Sequence, residues 1–182
     1  GGAGRIDLIA TPGSIAASNS TEISTITVRV IDTVGNLVDT YNDQITLSIT
    51  GSGMFDGQNP VNAVNGTASI RYLSGTVAGT NTITASGIGV NINGTVFVQV
   101  TAGQKSKLMV TTGNTQITAD GTEISTITAI ITDTYDNTVV SINEPITFTL
   151  DGIGTWTDDN VGHPEGGFIT LAVNGAATIG VK

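Results

Sequence analysis

The chain has no cysteine, one histidine, one tryptophan and only six basic residues in 182. Each shortage removes a class of function. Without cysteine there is no disulfide to clamp facing sheets, no thiolate metal site and no sulfur nucleophile. Six bases against 15 acids leave a net charge of −9, with no basic stripe to neutralise a phosphate backbone, so nucleic acid is not an expected partner. The single histidine, His163, sits in Gly162-His163-Pro164, a loop setting ill suited to the rigid positioning of a Ser-His-Asp arrangement. No apolar run approaches the roughly 18 residues needed to span a bilayer, so no membrane insertion is expected of this segment. Charged residues are 12% where about a quarter is usual. Thr, Ser and Asn supply the polar surface instead, a hydroxyl-rich coat of high β-propensity suited to an extracellular or cell-surface protein.

What is present is a repeat. Thr21-Glu22-Ile23-Ser24-Thr25-Ile26-Thr27 recurs as Thr122 to Thr128, at an offset of 101 residues. That period is too long for a solenoid unit and suits a whole small β-sandwich. Helical periodicity is absent, whereas period-two alternation recurs at Ile6 to Ala10, Ile26/Val28/Val30, Ile45/Leu47/Ile49, Val61 to Val64, Ala68/Ile70/Tyr72, Ile83/Ala85 and Val96/Val98/Val100. Turn signals divide these runs at Asp32 to Asn36, Gly51-Ser52-Gly53, Asn65-Gly66 and Asn93-Gly94, where Gly and Asn tolerate positive φ. The pattern predicts an all-β chain of tandem immunoglobulin-like β-sandwiches, with residues 1–102 a complete domain and 103–182 a second. The joint around Thr101 to Lys105 is short, which predicts a semi-rigid connection.

The copies are unequal. Asn65-Gly66-Thr67-Ala68 matches Asn174-Gly175-Ala176-Ala177 at an offset of 109, so copy two carries about eight extra residues within Thr157 to Gly167. Lys182 then falls opposite Leu73, and two strands of copy one have no counterpart in the second, C-terminally incomplete sandwich. A buried aliphatic side chain contributes roughly 1.5–3 kcal/mol, so half a dozen of them rival a whole domain's stability of about 5–15 kcal/mol. Either the sequence belongs to a longer chain, or another chain supplies the strands by β-augmentation, as a pilus-like filament subunit would require.

The order of motifs resembles the group 1 bacterial immunoglobulin-like domains of invasin and intimin type. Copy two has Ala119-Asp120-Gly121, Ile127-Thr128-Ala129, Asp133 with Asn137, Ile146-Thr147-Phe148 and Gly175-Ala176-Ala177-Thr178. Copy one adds Asp32 with Gly35-Asn36, Gly66-Thr67-Ala68 and Ala78-Gly79-Thr80-Asn81-Thr82-Ile83-Thr84-Ala85. It departs from the pattern at Ser18-Asn19-Ser20, where Ala-Asp-Gly is expected, and Leu37 and Thr138 stand where proline is frequent. The resemblance implies a surface-exposed spacer or stalk holding a distal adhesive domain, with no catalytic residues to transfer.

Two places carry candidate binding chemistry. Asp158, Asp159, Asn160 and Glu165 gather oxygen donors of the kind calcium takes, but their spacing follows no calcium-loop pattern and a solvated acidic loop is the plainer expectation. No cofactor is therefore assigned. Trp156 could stack on a sugar ring, yet Phe55 occupies the equivalent position of copy one, which favours a plug at the end of the core. Asp32 and Asp133 recur at equivalent turns, where a carboxylate accepts backbone N–H bonds. The expectation is a non-enzymatic extracellular structural or adhesion module. Its partners would be neighbouring immunoglobulin-like domains or subunits through strand addition, and a host or cell-surface receptor or glycan. Alternatives are the filament subunit, a glycan-binding module and an accessory domain of a secreted hydrolase.

Overall fold

The computed structural model describes residues 2–157 and 167–182. It divides into two compact units, Gly1–Thr101 and Ala102–Lys182. Unit 1 holds nine strands among the described residues: β1 (Arg5–Thr11), β2 (Ser14–Ala16), β3 (Ile23–Ile31), β4 (Gln44–Thr50), β5 (Gly53–Asp56), β6 (Val61–Asn62), β7 (Thr67–Ser74), β8 (Gly79–Gly87) and β9 (Gly94–Thr101). One sheet has the order β1-β3-β7-β5 and the other β2-β9-β8-β4-β6. The alternating residues turn inward as the period-two pattern requires. Ile26, Val28, Ile45, Ile83 and Val98 are all fully buried between the sheets.

Two of these strands escape the alternation pattern. β2 is three residues long and pairs parallel with β9, Ile15 opposite Val100, while β5 begins at a glycine and lies on the sheet edge beside β7. Segments so short hold too few residues to display a period. The predicted turn at Asn93-Gly94 is also displaced. The β8–β9 turn is at Ile88-Gly89, with Gly89 at φ +71°, and Gly94 opens β9. A Cβ on Gly94 would stand 2.7 Å from Ile6 Cγ2 and 3.0 Å from Leu8 Cγ, so glycine here permits β9 to close on β1 and makes no turn.

Unit 2 contains β10 (Lys107–Thr112), β11 (Ser125–Thr132), β12 (Pro145–Phe148), β13 (Phe168–Leu171) and β14 (Ala176–Val181) among the described residues. Registers identify the counterparts. Leu108 opposite Ile131 and Val110 opposite Ala129 repeat Ile6 opposite Val30 and Leu8 opposite Val28, so β10-β11-β14 reproduces β1-β3-β7. The pair β12-β13 reproduces β4-β6. Trp156 bridges Val181 where Phe55 pairs Tyr72. No described strand of unit 2 corresponds to β2, β8 or β9.

The Asn-Gly turns fall in place in both units. Asn65 and Gly66 have φ of 51° and 75°, Asn174 and Gly175 of 52° and 77°, the pairing of positive φ angles that a tight hairpin needs. A side chain at Gly175 would strike Val139 O at 2.6 Å, and one at Gly66 would strike Val38 O at 2.4 Å. The same glycine fits the same neighbour in both sandwiches.

Candidate functional site

Among the described residues of unit 2, Leu108 and Val110 on β10 and the edge of β12 are left uncovered, and they frame the candidate site. In unit 1, Ile6 is 4% exposed and Leu8 is 8% exposed beneath β9. Their counterparts on β10, Leu108 and Val110, are 53% and 58% exposed. Side chains that alternate in the same way thus meet protein in one unit and solvent in the other. Between β10 and β12 lies a cleft of about 370 Å³ lined by Lys105, Lys107, Leu108, Ile131, Glu144 and Ile146 among others. Lys105 and Glu144 form an ion pair at its mouth, so its two opposite charges offset each other. Lys107 pairs with Asp136 at 2.9 Å.

The wall of this cleft is a strand edge. The Ala172 amide donates to Glu144 O at 2.8 Å, so the backbone groups of Glu144, Ile146 and Phe148 face β13. By the two-residue period those of Pro145, Thr147 and Thr149 face away from it. Pro145 has no N–H to leave unpaired and starts the strand, a position where proline is tolerated. The N–H and C=O groups of Thr147 and Thr149 lie on the edge that β8 occupies beside β4. Apolar side chains therefore lie beside backbone groups that have no ladder partner among the described residues. The cleft lining contains no histidine and no carboxylate pair to serve acid–base chemistry.

Trp156 is 8% exposed. Its ring meets Phe148 at a centroid distance of 6.3 Å and Phe168 at 6.3 Å. A ring that stacks on a sugar needs an open face, whereas this indole is packed into the unit 2 core. The acidic candidates Asp158, Asp159, Asn160 and Glu165, and His163, lie outside the described residues. Among the described residues no group of three or more His, Cys, Asp or Glu is placed to hold a metal ion, and no helix is long and apolar enough to cross a membrane.

The recurring carboxylates organise turns. Asp32 Oδ1 accepts from the Val34 and Asn36 amides at 3.0 and 2.8 Å, and Asp133 Oδ1 accepts from Tyr135 and Asn137 at 2.8 and 2.9 Å. Asp133 Oδ2 also takes the Gly103 amide at 2.8 Å, tying the segment before β10 to the end of β11. The Asn36 amide is the main cause that lowers the Asp32 pKa. Burial pushes Asp133 upward, but hydrogen bonds from Asn137, Gly103 and Tyr135 outweigh it and leave the carboxyl below its ordinary value.

The start of the second long strand shows one task done by two chemistries. Ser18 Oγ accepts from the Thr21 and Glu22 amides at 3.1 and 3.0 Å. In unit 2 the equivalent amides, of Thr122 and Glu123, go to Asp120 Oδ1 at 2.8 and 3.2 Å. The departure from Ala-Asp-Gly in copy one therefore keeps both hydrogen bonds. The two strands of copy one without a counterpart in copy two point to this uncovered face, whereas the alternation at Leu108 and Val110 is the same whether they are covered or bare.

No family model matches the chain. Among solved structures, invasin, described as a bacterial integrin-binding protein, is similar over 97% of this chain at 21% identity and a TM-score of 0.55. Yersinia pseudotuberculosis InvD is similar over 97% at 19% identity and a TM-score of 0.59. A glycosyl hydrolase family 2 member from Bacteroides cellulosilyticus is similar over 55% of this chain, at 19% identity and a TM-score of 0.51. This chain spans 34% of the invasin chain, 48% of InvD and 14% of the hydrolase. The resemblance carried by the motifs extends to the fold: the chain is a tandem of immunoglobulin-like β-sandwiches of the kind found in invasin and InvD.

Proposed function

We propose that the chain is a non-enzymatic spacer or stalk module of a cell-surface adhesion protein. The observation that carries this reading is the way unit 1 ties its two ends together. β2, near the start, runs parallel to β9, at the end. The Gln99 amide donates to Gly13 O at 2.9 Å and the Ala17 amide to Thr101 O at 2.7 Å. Thr101 Oγ1 adds a longer bond to Ile15 O at 3.4 Å. When the two ends of a unit are pulled apart, parallel terminal strands slide along each other, so their hydrogen bonds are loaded together and in shear. That arrangement suits a module that transmits tension between a cell and what it adheres to. The fold shared with invasin supports an adhesive setting, and the absence of cysteine leaves packing and backbone hydrogen bonds to bear the load.

Single-molecule force spectroscopy on the full chain, pulled through cysteines added at its ends, tests the reading. Unit 1 should yield in one sharp event, releasing about 3.3–3.6 Å per residue freed. Gln99→Pro removes the amide that reaches Gly13 and should lower that peak force markedly. Gradual extension without a peak in the parent chain would exclude a load-bearing role.

A further inference from the structure

On the side away from β8, the edge of β4 carries only the two-residue β6. The Ala63 amide donates to Asp43 O at 3.1 Å and Val61 stands opposite Ile45, so by the two-residue period the backbone groups of Leu47 and Ile49 point to this same edge. The ladder stops at Val61, and the position that would face Leu47 is Asn59. Its side chain takes the place of a backbone: Oδ1 accepts the Leu47 amide at 3.0 Å and Nδ2 donates to Leu47 O at 2.8 Å. An asparagine in a turn ordinarily bonds backbone groups close by in sequence. This one reaches 12 residues back to the middle of a strand, with an amide that offers the donor and acceptor of a peptide group.

Unit 2 fills the same position in another way. Glu144 O accepts from Ala172 as Asp43 O does from Ala63, which aligns β13 with β6, and β13 runs on until Phe168 stands opposite Phe148. Phe148 is the counterpart of Leu47 and Phe168 that of Asn59. A backbone thus occupies the edge in unit 2, and a side-chain amide occupies it in unit 1. The edge so held is one that suits a further strand. β4 reads Gln44-Ile45-Thr46-Leu47-Ser48-Ile49-Thr50, with no charge, no proline and no glycine, the composition that stacks on itself. β5, at the edge of the other sheet, is only four residues long and ends at Asp56, which pairs with Arg71 at 2.7 Å; a short, charged edge resists pairing without further help.

We propose that Asn59 guards the outer edge of β4 against β4 of a second copy of this chain. A two-fold axis at Ser48 sets two such strands antiparallel, with Leu47 of each copy opposite Ile49 of the other, and leaves β6 in place beside Ile45. Every backbone group of Leu47 and Ile49 then has a partner, and the two Ser48 side chains face each other on the exposed side of the sheet. Asn59 fills the Leu47 groups from within the same chain, where no freedom of association is lost, and ties residues 57–60 across the edge. Asn59 is itself exposed, so the core does not call for an amide there. This role does not depend on load bearing by unit 1.

The test compares the full chain with its Asn59→Ala variant by light scattering over a concentration series and by amide hydrogen exchange at Leu47 and Ile49. In dilute solution the Leu47 amide of the variant should exchange about tenfold faster than that of the parent, having lost its acceptor. As concentration rises the variant should dimerise, and exchange at Leu47 and Ile49 should slow together, while the parent shows no such change. Ser48→Lys in the Asn59→Ala background places like charges directly opposite across the two-fold axis and should return the chain to a monomer. Asn59→Ser, too short to reach both groups of Leu47, replaces the alanine variant if that variant loses the unit 1 melting transition. A folded variant that stays monomeric at millimolar concentration overturns the proposal. Association that leaves Leu47 and Ile49 exchange unchanged, or that survives Ser48→Lys, overturns it too, as does a parent chain that already dimerises with Ile49 protected.

Discussion

The Trp156 indole meets the Phe148 ring edge-on, with planes at 68° and centroids 6.3 Å apart. Both residues are larger than their unit 1 counterparts, Phe55 and Leu47, while Val181 is smaller than Tyr72, which is fully buried in unit 1. Two enlargements and one reduction around the same end of the core keep it filled, as interiors of near-crystalline density require. The aromatic pair in unit 2 replaces the tyrosine of unit 1.

Truncating Trp156 to Ala should therefore cost about 3–5 kcal/mol, the range for deleting a large buried aromatic, and should abolish the unit 2 transition in calorimetry while leaving that of unit 1 in place. Trp156→Phe should cost less in a Phe148→Leu background than alone, because residues in contact do not contribute additively. Equal costs in both backgrounds would mean the two rings are not coupled. Trp156 is the only tryptophan, so its emission in the parent chain reports unit 2 alone.

The alternation, the Asn-Gly turns and the repeated Thr-Glu-Ile-Ser-Thr-Ile-Thr segment were legible in the sequence because each is local. Period two places Ile26 and Val28 inside whatever else happens, and a hairpin turn with two positive φ angles asks for Asn-Gly wherever it occurs. β2 was not legible, since three residues hold no period and their partner on β9 lies more than 80 residues away. Gly94 misled because a glycine needed for close approach and one needed for a turn are the same letter. The exposure of Leu108 and Val110 was legible only from the comparison of the two copies, which leaves two strands of copy one unmatched, and not from β10 itself. Their burial depends on strands that the alternation in β10 neither contains nor implies.

Left-handed positions give a second prediction. Ser20 holds φ 64° where its unit 2 counterpart, Gly121, holds 74°, and Gly35 holds 95° where Asp136 holds 68°. Each unit keeps glycine at the position where the other strains a side chain. A non-glycine residue in this region costs on the order of 1 kcal/mol. Ser20→Gly should raise unit 1 stability by about 0.5–1 kcal/mol in denaturant unfolding, with an unchanged m-value. Gly121→Ser should lower that of unit 2 by a similar amount. Loss of stability on Ser20→Gly would show that the serine side chain compensates the strain.

Acid should act on the two units unequally. Hydrogen bonds hold the carboxyls of Asp32 in unit 1, and of Asp120, Glu123 and Asp133 in unit 2, below their ordinary values. The Thr122 amide is the main cause at Asp120 and Thr118 the main cause at Glu123. For each group the folded state binds protons less readily than the unfolded chain, whose carboxyls titrate near pH 3.9 for Asp and 4.3 for Glu. Their stabilisation is thus complete above about pH 5 and is lost as the pH falls through the unfolded values toward the lower folded ones. With three such groups among the described residues of unit 2 against one in unit 1, the unit 2 melting temperature should drop more steeply below pH 4 than that of unit 1. Asp133→Asn should lower unit 2 stability at pH 7 and flatten its acid limb, because the amide no longer titrates. A mutant whose stability falls equally at pH 7 and pH 3 would mean that Asp133 acts through its shape and hydrogen-bonding geometry, with no contribution from its charge.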